Sequence, residues 1–249
     1  MQRFVLQRHL IHKTNIMKRI SYTIVALLMV GATLKSSAQS SESRQVSGFD
    51  AIASAGPFDV HVNINGTESL KIEASSSILN EIETVVESGK LEIKFKHHYN
   101  WNHDHVGKID VYVTAKALSS LVNSGSGSIK VEGVVKGENV DVVLSGSGNI
   151  QSAVKAGNLH ATISGSGDIE LRGSADEAKV TISGSGEMKG RELKTNSASA
   201  TIAGSGSAYF SADKTVSAHI VGSGNVVYSG NATITESHTI GSGSVSKAD

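Results

Sequence analysis

The segment Leu144-Ser145-Gly146-Ser147-Gly148-Asn149-Ile150 decides the fold, because it keeps returning. It comes back as Ile163-Ser164-Gly165-Ser166-Gly167-Asp168-Ile169 and again as Ile182-Ser183-Gly184-Ser185-Gly186-Glu187-Met188. Gly-Ser-Gly begins at Gly125, Gly146, Gly165, Gly184, Gly204, Gly222 and Gly241, at intervals of 21, 19, 19, 20, 18 and 19 residues. A steady period near 20 residues marks a solenoid. Four residues past each first glycine stand Ile129, Ile150, Ile169, Met188, Ala208, Val226 and Val245, all apolar. Two before it stand Asn123, Leu144, Ile163, Ile182, Ile202, Ile220 and Thr239, with polar residues such as Thr162, Thr181 and His219 in between. Apolar residues at period two mean strands with one buried face.

Each repeat therefore reads as strand, Gly-Ser-Gly corner, strand and looser loop. The expected fold is all-β: a parallel β-helix, or β-solenoid, of about 19-residue coils with Gly-Ser-Gly corners. Six coils stacked about 4.8 Å apart span roughly 29 Å. The serines at one corner would form a hydroxyl ladder. A narrow interior suits Val, Ile and Ala, in keeping with 4% aromatic content.

Upstream, Phe58-Asp59-Val60-His61-Val62-Asn63-Ile64 and Leu70-Lys71-Ile72-Glu73-Ala74 alternate, with Asn65-Gly66 as a turn signal between them. Ser77 is a candidate cap for one short helix over Ile78 to Glu87, ended by Gly89. Leu91–Phe95 and Ile109–Val113 read as paired strands around a polar loop. Residues 48–122 are expected to cover the N-terminal end of the solenoid, because open ends are unpaired strand edges.

The first 38 residues carry six basic residues and no acid. Lys18-Arg19, a short apolar run from Tyr22 to Val30, and the small residues Ser36-Ser37-Ala38 describe a secretory signal peptide, with Met17 as an alternative start and residues 1–16 as an upstream extension. The apolar run is shorter than the roughly 20 residues of a spanning helix, so no stable transmembrane anchor is expected. The division is thus a signal peptide over 1–38, a linker over 39–47 and one domain over 48–249, with a capping region (48–122) and repeats (123–249). The expected location is exported: periplasm, outer-membrane surface or secreted. Without the leader the charge is 17 basic against 23 acidic, a net of −6, which disfavours nucleic acid. The chain has no Cys, which excludes disulfides, thiolate metal sites and a cysteine nucleophile.

Gly48-Phe49-Asp50-Ala51-Ile52, Gly56-Pro57-Phe58-Asp59-Val60 and the Ser-Gly-Ser-Gly repeats, in that order, resemble the head GIN domain family of exported Bacteroidetes-type proteins, which carries an auto-transporter adhesin label. The resemblance covers about 200 residues and implies a β-helical fold and an exported location.

The chain shows no phosphate-binding loop and no hydrolase elbow, and seven equivalent serines favour a ladder over one nucleophile. Gly165-Ser166-Gly167-Asp168 resembles a calcium-binding turn, but only two of the seven equivalent positions (Asp168 and Glu187) are carboxylates. The segment His97-His98-Tyr99-Asn100-Trp101-Asn102-His103-Asp104-His105 is the candidate site. Its imidazoles, His97, His98, His103 and His105 with Asp104, suit Zn, Cu or Ni, and Tyr99 with Trp101 suit a ligand-contacting tip. The remaining histidines, His61, His160, His219 and His238, read as solvated surface.

No cofactor is expected. The function expected is a non-catalytic binding, adhesin-like or structural module of the cell envelope, with an envelope or extracellular ligand. Carbohydrate or surface-polymer binding on a flat outer sheet is the alternative, and an enzyme on envelope polysaccharide a remote one. The C-terminal coil, around Thr239, Ile240 and Val245, is a candidate surface for homo-oligomers.

Overall fold

The computed structural model describes residues 40–97 and 107–248. The signal-peptide segment lies outside the described residues. The described chain is a β-solenoid of about seven turns, with coils about 19 residues apart. Five long strands run from one corner to the next: β9 (Ser128–Gly146), β10 (Asn149–Gly165), β11 (Asp168–Gly184), β12 (Glu187–Gly204) and β13 (Ser207–Gly222). All pair in parallel with their neighbours. The looser loop expected opposite the corner is absorbed into these strands, since pairing continues through it, as at Ala156↔Ala175.

The corners explain the glycines. First glycine sits over first glycine in every pair, from Gly125↔Gly146 to Gly222↔Gly241. At each step two amides share one carbonyl of the coil before: Ser166 N and Gly167 N both donate to Gly146 O, at 3.0 and 3.1 Å. The first glycine has a left-handed φ (+129° at Gly165), which a side chain rarely adopts. At the second the constraint is space, since a Cβ on Gly167 would lie 2.1 Å from Gly148 O. Unequal spacings are taken up away from the corner. β9 carries two extra residues against β10 between Lys130 and Val134, and Gly133 turns there at φ +108°.

The interior columns are filled. Ile129, Ile150, Ile169, Met188, Ala208 and Val226 are buried, as are Leu144, Ile163, Ile182, Ile202 and Ile220. Asn123 breaks the second column and is fully buried; its Nδ2 donates to Gly127 O at 2.7 Å, inside its own corner. The last turn is different. β15 (Thr233–Gly241) is exposed along its whole length, and Ser237 and Thr239 stand where the turn before has Ala218 and Ile220. β14 (Asn225–Ser229) and β16 (Ser244–Lys247) complete that end.

The first coil lies inside the stack, not at its end. β2 (Ala51–Ala55) and β3 (Asp59–Ile64) flank Gly56-Pro57-Phe58, which takes the place of a Gly-Ser-Gly corner. Gly127 N donates to Gly56 O and Ser128 N to Phe58 O. Phe58 is fully buried, its ring 5.0 Å from that of Phe95. The chain then travels outward through β4 (Ser69–Ala74), α1 (Ser76–Leu79), β5 (Ile82–Glu87), β6 (Lys90–Phe95) and β7 (Asp110–Ala115). β6 and β7 form the next coil out, pairing in parallel with β2 and β3. The chain finally crosses back to β8 (Ser120–Gly125), which pairs with the other edge of β2. β1 (Ser40–Arg44) and β4 pair antiparallel on one side and β5 on the other, so the parallel ladder ends in antiparallel strands.

Two local expectations are corrected. The helix stops at Leu79, and Ile82–Glu87 is a strand. Ile82, Thr84, Val85 and Val86 are β-branched, and Ser88-Gly89, both at positive φ, close a hairpin onto β6. Leu91–Phe95 and Ile109–Val113 do not pair with each other; they are successive sides of one coil. Asn65-Gly66 turns the chain between β3 and β4 as read, with Gly66 at φ +88°, although β7 lies between those two strands in the sheet.

Candidate functional site

Strands leaving the corners form one continuous sheet side, and alternation turns every second residue outward. One outward row, followed by register, reads Lys71, Tyr112, His61, Lys130, Gln151, Glu170, Lys189 and Tyr209. Tyr112 and His61 stack, with centroids 5.1 Å apart and planes at 20°. Lys71 Nζ lies 4.9 Å from the Tyr112 centroid on the opposite neighbouring strand. His61 and Lys71 thus hold the Tyr112 ring upright from both sides, and Tyr112 is 39% exposed.

Beside this stack is a half-open hollow of about 640 Å³, walled by β1, β4, β7, β3 and the start of β9. Several of its charges are spent elsewhere. Arg44 is held by Glu42 and by the carbonyls of Leu79 and Ile82. Lys71 pairs with Glu73 at 2.6 Å, and Glu68 is held by Lys116 and the amide of Gly48. Lys130 and Glu132 form no ion pair with a described residue. Asn63, Ser69 and Thr114 add an amide and hydroxyls, and Ser69 and Thr114 lie 2.9 Å apart. A second hollow of about 470 Å³ lies along the same row, where Arg191 covers Tyr209 at 4.4 Å. Three acids (Glu170, Glu187, Glu192) and three bases (Arg172, Lys189, Arg191) balance there.

Below the first stack, Asp110 is buried and receives Lys108 at 2.8 Å and His61 Nε2 at 3.1 Å. Burial pushes its carboxyl up, but those two hydrogen bonds outweigh it and hold the group below the usual carboxylate range. A depressed folded pKa contributes stability that is present above the unfolded value, about 3.9, and is lost as pH falls through the folded one. Asp110→Asn is therefore expected to flatten the loss of stability below about pH 4, as read by denaturant midpoints across an acid series. An acid limb identical to that of the unaltered chain would refute the assignment. The His61–Asp110 pair orients no nucleophile among the described residues: Ser128 Oγ donates instead to Asp59, at 2.7 Å.

Of the residues expected to form a site, His98, Tyr99, Trp101, His103, Asp104 and His105 lie outside the described residues. His97 is exposed just past β6. The register locates the ends of their segment. Three residues (56–58) separate Ala55 from Asp59, whereas fifteen (95–109) separate their partners Lys94 and Asp110. Lys94 and Asp110, the described residues on either side of that segment, therefore face the two sides of the Gly56-Pro57-Phe58 corner. Asp168 is committed to Lys189 at 2.6 Å and to the Glu187 amide, and among the described residues no three metal-ligating side chains cluster. His160 and His219 are exposed on outward positions, as expected. The Tyr112–His61 stack was missed, although Asp59-Val60-His61-Val62-Asn63 and Asp110-Val111-Tyr112-Val113-Thr114 share one pattern, the signal of two strands lying side by side.

A family model described as "Putative auto-transporter adhesin, head GIN domain" matches residues 48–232. Solved structures with the same fold include a Bacteroides fragilis protein described as a "putative adhesin" (22% identity, TM-score 0.75, 84% of this chain and 97% of that one). Another is a Parabacteroides distasonis protein described as a "putative lipid binding protein" (26%, 0.69, 85% and 97%). A third, a "putative adhesin" from Parabacteroides merdae, gives 24%, 0.67, 85% and 96%. No curated protein matches the chain.

Proposed function

We propose a function from one premise, that the chain belongs to the head GIN domain family: it is an exported, non-catalytic, adhesin-like binding module of the cell envelope. The observation that carries this reading is the departing sheet side. The stacked corners fix its outward side chains in straight rows about 4.8 Å apart. Along one row lie two hollows, each with an aromatic ring and a cation packed on it. Such a face is preorganised for an extended ligand, because binding needs little ordering of the protein. The leader-like segment over 1–38 supports export.

A lipid ligand, as one neighbour's name has it, fits less well. Acyl chains need an enclosed apolar chamber, and the interior columns here are filled by Ile, Val, Leu and Ala side chains. The ligand suited to an open polar face is a surface polymer. In the test, the immobilised chain is exposed to capsule and outer-membrane fractions of Bacteroides cells. Saturable retention of polysaccharide without change in its length is expected. Depolymerisation of the retained material would replace this reading with an enzymatic one, and absence of retention would end it.

A further inference from the structure

We infer that the hollow beside Tyr112 is a glycan subsite that seats an uncharged hexose, plain or N-acetylated, of a longer saccharide. The inference rests on the binding-module reading and adds the ligand's class and place. Its first support is size. About 640 Å³ lies within the range of ligand sites, and a half-open hollow suits one or a few residues of a chain that continues along the sheet.

Its second support is the kind of polarity. A sugar hydroxyl both donates and accepts, so its site must offer both. Lys130 supplies donors, Glu132 acceptors, and Asn63 and Thr114 both, all on neighbouring outward positions of β9, β3 and β7. Lys130 and Glu132 are also the charges that no described residue neutralises. They are of opposite sign, so the hollow has no surplus to attract a polyanion or a polycation.

The third support is the ring. Its two faces are taken by His61 and Lys71, which leaves the edge and the hydroxyl of Tyr112 as a rigid rim. A rim of that kind is a fixed wall whose hydroxyl can donate to or accept from a sugar hydroxyl at little entropic cost, since the stack is already ordered. A peptide strand across the floor of the hollow is disfavoured, because β4, β7, β3 and β9 are each paired on both edges here; β1, at the rim, is the wall with one edge unpaired among the described residues.

The test titrates the labelled full chain with N-acetylchitotetraose and with maltotetraose, followed by amide shifts in two-dimensional NMR. For at least one of the two, shifts are expected to centre on Asn63, Tyr112 and Lys130. Asn63→Ala and Lys130→Gln are each expected to weaken the dissociation constant about tenfold or more. Their thermal midpoints should not move, since both residues are at the surface. Silence with both saccharides, shifts centred elsewhere, or full affinity in both hollow variants would overturn the subsite. Polysaccharide retention that survives such a failure would leave the binding-module reading standing; loss of retention as well would remove both.

Discussion

Gly167→Ala is expected to lower stability by roughly 3–5 kcal/mol, while Ser166→Ala, one residue away, changes it by less than about 0.5 kcal/mol. The contrast follows from the corner. A methyl group on Gly167 would meet Gly148 O at 2.1 Å and the Leu144 side chain at 2.9 Å. The carbonyl is backbone, anchored in the ladder, so relief requires two coils to separate. The Ser166 hydroxyl, by contrast, is exposed and bonds no described residue, so the hydroxyl ladder expected at this corner is not formed there. Denaturant midpoints of the two variants decide the matter: equal midpoints would mean that the corners are not closely stacked. For a chain of this size the larger loss corresponds to a fall of roughly 10 °C in thermal midpoint.

Phe58→Ala is the second large effect, with an expected loss of about 3–5 kcal/mol. Phe58 is, with Phe210, the largest fully buried side chain among the described residues, and it stands in the column that holds glycine in every later coil. The ring fills the interior where the capping strands begin and packs on Phe95. Its removal leaves a cavity between the β2–β3 coil and the β6–β7 coil. A solenoid couples mainly to nearest neighbours, so damage should stay local. Hydrogen exchange should show lost protection in β2, β3 and the first half of β9, with β12 and β13 unchanged. Uniform loss along the molecule, or none, would contradict that account.

The repeats were legible because one period fixed three columns at once: the corner glycine, Ile163 and its equivalents before it, and Ile169 and its equivalents after it. No alternative pairing keeps all three in line, so local pattern and long-range register agree. The capping region offered no such redundancy. Ile82, Val85 and Val86 fit the spacing of a helix face as well as they fit a strand. What settles them is β6, waiting across Ser88-Gly89. The candidate site was hidden for a related reason. His61 and Tyr112 are far apart in sequence, and nothing local says that β7 will lie directly against β3. The histidine-rich segment, conspicuous in composition, is placed by the register only as far as its two ends.

The position of the β2–β3 coil bears on how the molecule comes together as the chain is made. These strands emerge early, just after β1, yet the partners on their two edges are β6–β7 on one side and β8–β9 on the other, the latter reached at Ser128, 69 residues after Asp59. An early winding of the turns from the N-terminus is therefore closed to this chain. Assembly must wait until roughly residue 130 has been delivered, and a helper that shields Phe58 and its neighbours during that interval would speed productive folding.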